Sequence, residues 1–538
     1  MTNVDLAAYP FPSQRMPVFA CNGLVATSQP LAAQAGLVML QRGGNAVDAA
    51  LATAAALTVL EPTSNGLGSD VFALVWDGDK LHGLNASGRS PRGLPAAADL
   101  RAQGHTQIPV DGWLPVTVPG ALAGWDDLHQ RFARLPLAEL LAPAITYAEE
   151  GYGVTPIVAH YWQQGAERFL PQTDPAVSGW ASTFAPWGRA PQAGERWASP
   201  NHAQTLRTLA KRGLRDFYQG ELAQKIVAFV RTTGGFLTAD DLATHQSQWV
   251  KPISTSYRGY EVWEIPPNGQ GLTALMALAI LADTDLPDQP HGSVESLHLQ
   301  IEAMKLAFAD AYRYIADPDL VEVPLAGLLD PAYLANRRSL IGPRASSPGP
   351  GEPSKGGTVY LCTADREGMM VSFIQSNYMG FGSGIVVPGT GIALNNRGAC
   401  FCLEAGHPNE AAGGKRPYHT IIPGFLSRSG QPVGPFGVMG GYMQPQGHVQ
   451  VVTGLVDYGL NPQTALAAAR WQITGGLKVE LEIGTPEHIL QTLAGRGHAV
   501  RLSFERGSFG RGQIIWRLAE GVMLGGSDQR ADGAAVGW

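Results

Sequence analysis

ASSPGPGEPSKGG-TVYLCT, residues 345–363, joins two unlike kinds of sequence. Up to Gly357 the stretch is polar, rich in Pro, Gly and Ser, and without periodicity, which is the composition of an exposed linker. From Thr358 to Thr363 it alternates like a strand; Asp365 to Gly368 then reads as a turn and Met369 to Ser376 as a second strand. A threonine at such a junction has two readings. Either it opens a β-hairpin, because Thr favours strands, or the Gly357–Thr358 bond is cut and Thr358 becomes an N-terminal nucleophile.

The second reading has a physical rationale. A hydroxyl is a poor nucleophile without an adjacent base. A free α-amino group, with a reference pKa of about 7.7–8.0, takes up protons near neutral pH. One cut therefore supplies nucleophile and base on the same residue. Gly356 and Gly357 allow the backbone the geometry that an N-to-O acyl shift needs.

Upstream of the linker the chain starts helical. Gln29 to Arg42 carries Leu31, Ala35, Val38 and Met39 on one face and stops at Gly43-Gly44. Asn45 is placed to cap a second helix, Ala46 to Leu60, whose many alanines predict close packing in a buried layer. Val71–Trp76 and Lys80–Leu84 read as strands around Asp77-Gly78-Asp79. Residues 137 to 309 read as mostly helical, with a looser stretch at Gly179–Pro200 and a long amphipathic helix at Glu295–Tyr314.

Composition bounds the function. The 538 residues are 45% hydrophobic and 15% charged, enough for a large core. A net charge of −7 gives no footprint for nucleic acid or an anionic membrane. Cys21, Cys362, Cys400 and Cys402 are too few and too unevenly spaced for a disulfide framework, so free thiols are expected. The first residues lack the pattern of a signal peptide and the longest apolar run, Ala49–Leu60, is short for a membrane span, so a cytoplasmic protein is expected. With no Walker-type loop and no metal-ligand spacing read among the 13 histidines, neither cofactor nor metal is expected.

Blocks along nearly the whole chain occur in a shared order that resembles the γ-glutamyltranspeptidase family. They include Leu40-Gln-Arg-Gly-Gly-Asn-Ala-Val-Asp-Ala-Ala50, Val118-Pro-Gly120, Pro266-Pro-Asn-Gly-Gln-Gly271, the Thr358 hairpin, Thr390-Gly-Ile-Ala-Leu-Asn-Asn396, Lys415-Arg-Pro417 and Gly440-Gly441. The resemblance implies an α/β fold: a four-layer αββα N-terminal-nucleophile hydrolase. It implies that two subunits, 1–357 and 358–538, arise from one precursor, stay together and form a single domain. Thr358 would be nucleophile and, through its amine, base. Ser376 falls where the family has a second hydroxyl that positions the nucleophile. Gly440 and Gly441 match the pair that donates N–H groups to the oxyanion.

Departures from the family pattern bear on substrate. The arginine that would hold a γ-glutamyl carboxylate falls near Ser87, with Arg89 two residues on. The acid that would bind the substrate amine falls on Cys400. Arg397, Tyr378, His419 and Thr420 replace a glutamine, an asparagine and two serines, and are expected at the substrate together with Arg89. Arg397 without the acid suits a carboxylate lacking a neighbouring ammonium. The segment between Phe401 and Lys415 is short where many transpeptidases carry a covering loop. Three functions stay open: hydrolysis or transfer of γ-glutamyl amides such as glutathione; an amidase for another small carboxylate amide, like oxamate amidohydrolase or the glutaryl-cephalosporin acylases; and an unprocessed, non-catalytic relative. The substrate-pocket departures favour the second over a strict reading of the first, while the family resemblance as a whole implies cleavage of γ-glutamyl-type amides, with hydrolysis expected over transfer. A small-molecule amide is the expected partner, with no nucleic acid and no membrane.

Overall fold

The computed structural model describes residues 15–348 and 357–538; the linker residues 349–356 lie outside the described residues. The hairpin read from the sequence is present, with strands Gly357–Asp365 and Met370–Tyr378 paired antiparallel. It sits in the middle of a seven-stranded sheet. From edge to edge the order is Ala534–Gly537, Gly23–Thr27, Gly357–Asp365, Met370–Tyr378, Asp70–Trp76, Leu81–Asn85 and Gln248–Val250. A second seven-stranded sheet runs Val18–Ala20, Met523–Ser527, Arg511–Arg517, Gln431–Met439, Gly424–Arg428, Tyr260–Glu264 and Ile253–Tyr257.

Alternation along the hairpin explains the layering. Val359, Leu361, Val371 and Phe373 pack with the helices outside the first sheet. Tyr360, Cys362, Ala364 and Ile374 face the other way and meet Phe425, Met439 and Ile515 of the second sheet. Successive side chains of a strand point to opposite faces, so one short sequence serves two layers. Helix Ala46–Leu60 covers the first sheet and every one of its residues is buried, as its alanine content predicts; Asn45 and Asp48 form its capping box. Helices Gly271–Leu281, Val294–Tyr314 and Met443–Val456 cover the second sheet. The result is the expected αββα sandwich.

Two readings need correction. The region read as mostly helical contains the strands Gln248–Val250, Ile253–Tyr257 and Tyr260–Glu264. Their alternation is hidden because Glu264, an acid, points inward and is buried on His448 at 2.6 Å. Helix Val294–Tyr314 is also less amphipathic than its sequence suggests, since His298, Glu302 and Lys305 are buried with its apolar residues. The four cysteines are free thiols. Among the described residues no helix is long and apolar enough to cross a membrane.

Candidate active site

Thr358 lies at the start of its strand, where the pairing register shifts between Gly357 and Val359. A bulge of this kind re-aims a side chain relative to the pleat. The Thr358 hydroxyl is fully buried and lies 3.0 Å from Ser376 Oγ on the neighbouring strand. The Tyr378 N–H donates to the same Ser376 oxygen at 2.7 Å, so that hydroxyl is fixed in place. Tyr378 itself has φ 80°, which turns the chain sharply out of the strand.

That turn places Tyr378 beneath Arg397, whose guanidinium carbon is 4.5 Å from the ring centroid. Arg397 is fully buried and donates to Thr420 Oγ1 at 2.7 Å. Its Nε and one terminal nitrogen have no hydrogen-bond acceptor among the described residues. Its nearest acid is Asp70, at 4.0 Å. Asp70 is the cross-strand partner of Ser376 and was not singled out from the sequence. Its Oδ1 accepts from the N–H groups of Gly88 and Gly120, and its Oδ2 faces His419 Nε2 at 3.0 Å. His419 Nδ1 lies 3.3 Å from the Ile421 N–H, which leaves the ring proton on Nε2, directed at Asp70. Burial, together with the charges of Arg397 and Arg416, pushes the His419 pKa well below its ordinary value. His419 is thus a neutral hydrogen-bonding group. Burial also raises the Cys400 thiol pKa, so this residue supplies no anion for a substrate ammonium.

Gly440 and Gly441 follow the strand Gln431–Met439 and precede the helix Met443–Val456. Their φ values of 140° and 62° belong to glycine. Among the described residues neither N–H has an acceptor, and the helix beginning there adds its dipole. Such a turn can receive developing negative charge. Gln270 ties it to the Arg397 wall: the side-chain amide donates to Gly441 O at 2.9 Å and to Thr420 O at 2.5 Å. Gln270 was visible only as part of a glycine-rich block.

Arg89 is not brought into this network. Its guanidinium is held by Asp317 at 2.6 Å and Asp319 at 2.5 Å. Two carboxylates of the protein hold it apart from the network around Thr358 and Arg397. The fold also gathers His298, Glu302 and His498, whose possible ligand atoms lie within 4.8 Å of one another. Here His298 Nε2 donates to Gly342 O at 2.8 Å, so its Nδ1 accepts from His498 Nε2 at 2.8 Å; Lys305 Nζ then donates to His498 Nδ1 at 3.3 Å and Glu302 at 2.8 Å. Every ring nitrogen has a partner, and an incoming cation would meet an ammonium.

A strand-end threonine, a second hydroxyl on it and an N–H pair at a helix start, set in an αββα sandwich, define the class of N-terminal-nucleophile hydrolases. Residues 32–538 match the family model for Gamma-glutamyltranspeptidase, and the chain belongs to that family. It is similar to the crystal structure of cephalosporin acylase from Bacillus halodurans, with a TM-score of 0.95 and 55% identity over 100% of this chain and 99% of that one. The glutathione hydrolase-like YwrD proenzyme of Bacillus subtilis is 36% identical over 97% of this chain and 99% of its own length. The oxamate amidohydrolase proenzyme of Klebsiella pneumoniae is 34% identical, over 96% and 98%.

Proposed function

We propose that the chain cuts itself before Thr358 and then hydrolyses amides whose acyl group carries a carboxylate held by Arg397. In the first step Thr358 Oγ attacks the Gly357 carbonyl carbon; the C–N bond breaks and water releases the resulting ester. In turnover the new α-amine takes the hydroxyl proton as Oγ attacks the substrate amide. The oxyanion is held by the Gly440 and Gly441 N–H groups, the proton passes to the leaving amine, and water cleaves the acyl-enzyme. The observation that carries the substrate reading is Arg397 itself: fully buried, with two nitrogens lacking an acceptor. A buried guanidinium with unsatisfied N–H groups is costly, and a carboxylate can accept from two of them with parallel bonds. Oxalyl amides, of which oxamate is the simplest, and glutaryl amides fit this description. The relatives named for oxamate and cephalosporin substrates support it. The test is a comparison of kcat/KM for oxamate and for glutaryl and γ-glutamyl anilides. A γ-glutamyl anilide far ahead of both others would overturn the reading in favour of γ-glutamyl hydrolysis. That second reading has its own support: a glutathione hydrolase-like relative and the Asp70 carboxylate beside Arg397.

Hydrolysis is expected to dominate over transfer. The short segment between Phe401 and Lys415 leaves little chain to cover the acyl-enzyme or to hold an acceptor against water. Adding glycylglycine to a donor assay should leave product release almost unchanged. A many-fold rise, with transfer product as the main species, would refute the idea.

Asp70 sets a pH dependence. Burial raises its carboxyl to about 7, against the lowering pull of Arg397. A substrate carboxylate on Arg397 would lie beside Asp70, so binding favours the protonated acid. KM for an anionic substrate is therefore expected to rise several-fold between about pH 6 and about pH 8, and Asp70→Asn to flatten the rise. Over the same range kcat should increase, as the α-amine loses its proton. A wild-type KM that is constant across this range would uncouple Asp70 from binding.

A further inference from the structure

We infer that the Gln270 side chain is a positioning residue for turnover: it holds the Gly440–Gly441 turn in the conformation that presents both N–H groups to the oxyanion. This rests on the amidase reading above, in which that turn receives the developing charge, and is independent of which acyl group is cleaved. A pair of glycines has no side chain to restrict it, so the shape of the turn depends on what grips its peptide groups. Gly440 O accepts from the Met443 N–H at 3.1 Å and Gly441 O from the Gln444 N–H at 3.2 Å. Both donors belong to the helix that the turn itself begins. The bond from Gln270 Nε2 to Gly441 O, at 2.9 Å, comes from a different part of the fold.

Gln270 is itself held firmly. It is fully buried; its Nε2 also donates to Thr420 O at 2.5 Å, and its Oε1 accepts from the Tyr418 hydroxyl at 3.1 Å. One amide orientation serves: turned over, it would set its oxygen against two carbonyl oxygens. The Tyr418 ring is fixed in turn, stacked with Tyr312 at 6.1 Å and with Tyr442 at 5.7 Å. The backbone carrying Gln270 is wedged between the two sheets. A Cβ on Gly269 would lie 3.0 Å from the Phe72 ring of the first sheet, and one on Gly271 would lie 2.7 Å from Glu264 Cβ of the second. Glycine on either side lets Gln270 stand this close. The wall that carries Arg397 depends less on the amide. The His419 N–H donates to Asn268 O and the Gln270 N–H to His419 O, both at 2.9 Å, and these backbone bonds outlast a change of side chain. Losing the amide therefore loosens the turn and leaves the substrate-binding wall in place, so the loss should fall on kcat rather than on KM.

The experiment compares mature wild type with Gln270→Met, which keeps the length of the side chain and removes both donors. The substrate is whichever of oxamate, the glutaryl anilide and the γ-glutamyl anilide wild type hydrolyses best. In the variant kcat should fall about ten-fold to a hundred-fold while KM stays within about two-fold. In Gln270→Glu only the protonated acid can donate to Gly441 O, so the ratio of its kcat to that of wild type should rise as the pH falls. Tyr418→Phe removes the hydroxyl that orients the amide and leaves the turn untouched; it should lower kcat several-fold, again without a matching change in KM. A mature Gln270→Met enzyme with wild-type kcat, or with its loss in KM alone, overturns the inference. If Gln270→Met does not mature, an unchanged kcat in Tyr418→Phe overturns it instead. A γ-glutamyl anilide hydrolysed far best, with the same fall in kcat, counts against the acyl reading alone and supports the role of Gln270.

Discussion

Thr358→Ala should yield one uncut 538-residue chain with no amidase activity. Both losses follow from a single atom. The hydroxyl that would open the Gly357–Thr358 bond is the one that would later carry the acyl group, and 3.0 Å from it the Ser376 hydroxyl has no replacement role as nucleophile because the Tyr378 N–H already fixes it. Removing a covalent nucleophile lowers kcat on the order of 10⁴-fold or more. Intact-mass analysis distinguishes the forms: wild type should give chains 1–357 and 358–538, the smaller beginning at Thr358, and the variant one chain. A wild-type preparation fully active as a single uncut chain would falsify the mechanism. The fold of the variant should be retained, since Thr358 contributes one methyl and one hydroxyl to a hairpin secured by its backbone ladder.

The second large effect is expected for Arg397→Ala. Losing a charge-assisted hydrogen bond to a substrate carboxylate costs about 1.5–3 kcal/mol, so kcat/KM should fall roughly ten-fold to a hundred-fold or more. The loss should be confined to substrates with an acyl carboxylate. Self-cleavage should continue, because Arg397 reaches the nucleophile only through Tyr378 and has no bond to Thr358 or Ser376 among the described contacts. Asp70 would lose the neighbour that lowers its pKa, so the pH dependence of KM should change with it. A variant that matures normally and keeps wild-type efficiency on every carboxylate substrate would make Arg397 a structural residue.

What the sequence made legible was local. The linker, the hairpin and the Asn45 cap each rest on neighbours a few residues apart, where propensity and capping operate. Motif order then supplied the family and with it the expectation of roles for Ser376 and the glycine pair. What remained hidden depends on distant partners. Arg89 stands in a recognisable block, yet its fate is decided by Asp317 and Asp319, 228 and 230 residues away. Asp70 stands just outside the strand read from Val71 to Trp76, and only the register opposite Ser376 brings it to the site. Glu264 disguised a strand because its partner His448 lies 184 residues on. Buried charge is paired across the fold, and a pattern scan along the chain does not see the pairing.

The order of strands around the proposed cut has a consequence for the lifetime of the protein. From one edge of the first sheet the strands belong in turn to the C-terminal piece, the N-terminal piece, the C-terminal piece twice, and the N-terminal piece three times. Neither piece owns a complete sheet, so parting them means dismantling the sandwich. Before the cut, refolding is a first-order search by one molecule whose linker keeps the halves at high effective concentration. Afterwards it is an encounter between two incomplete partners, each exposing unpaired strand edges and competing with aggregation. A cut at Thr358 would thus leave a molecule held by the height of its unfolding barrier. Each molecule would then have one occasion to find its structure, before it became a catalyst.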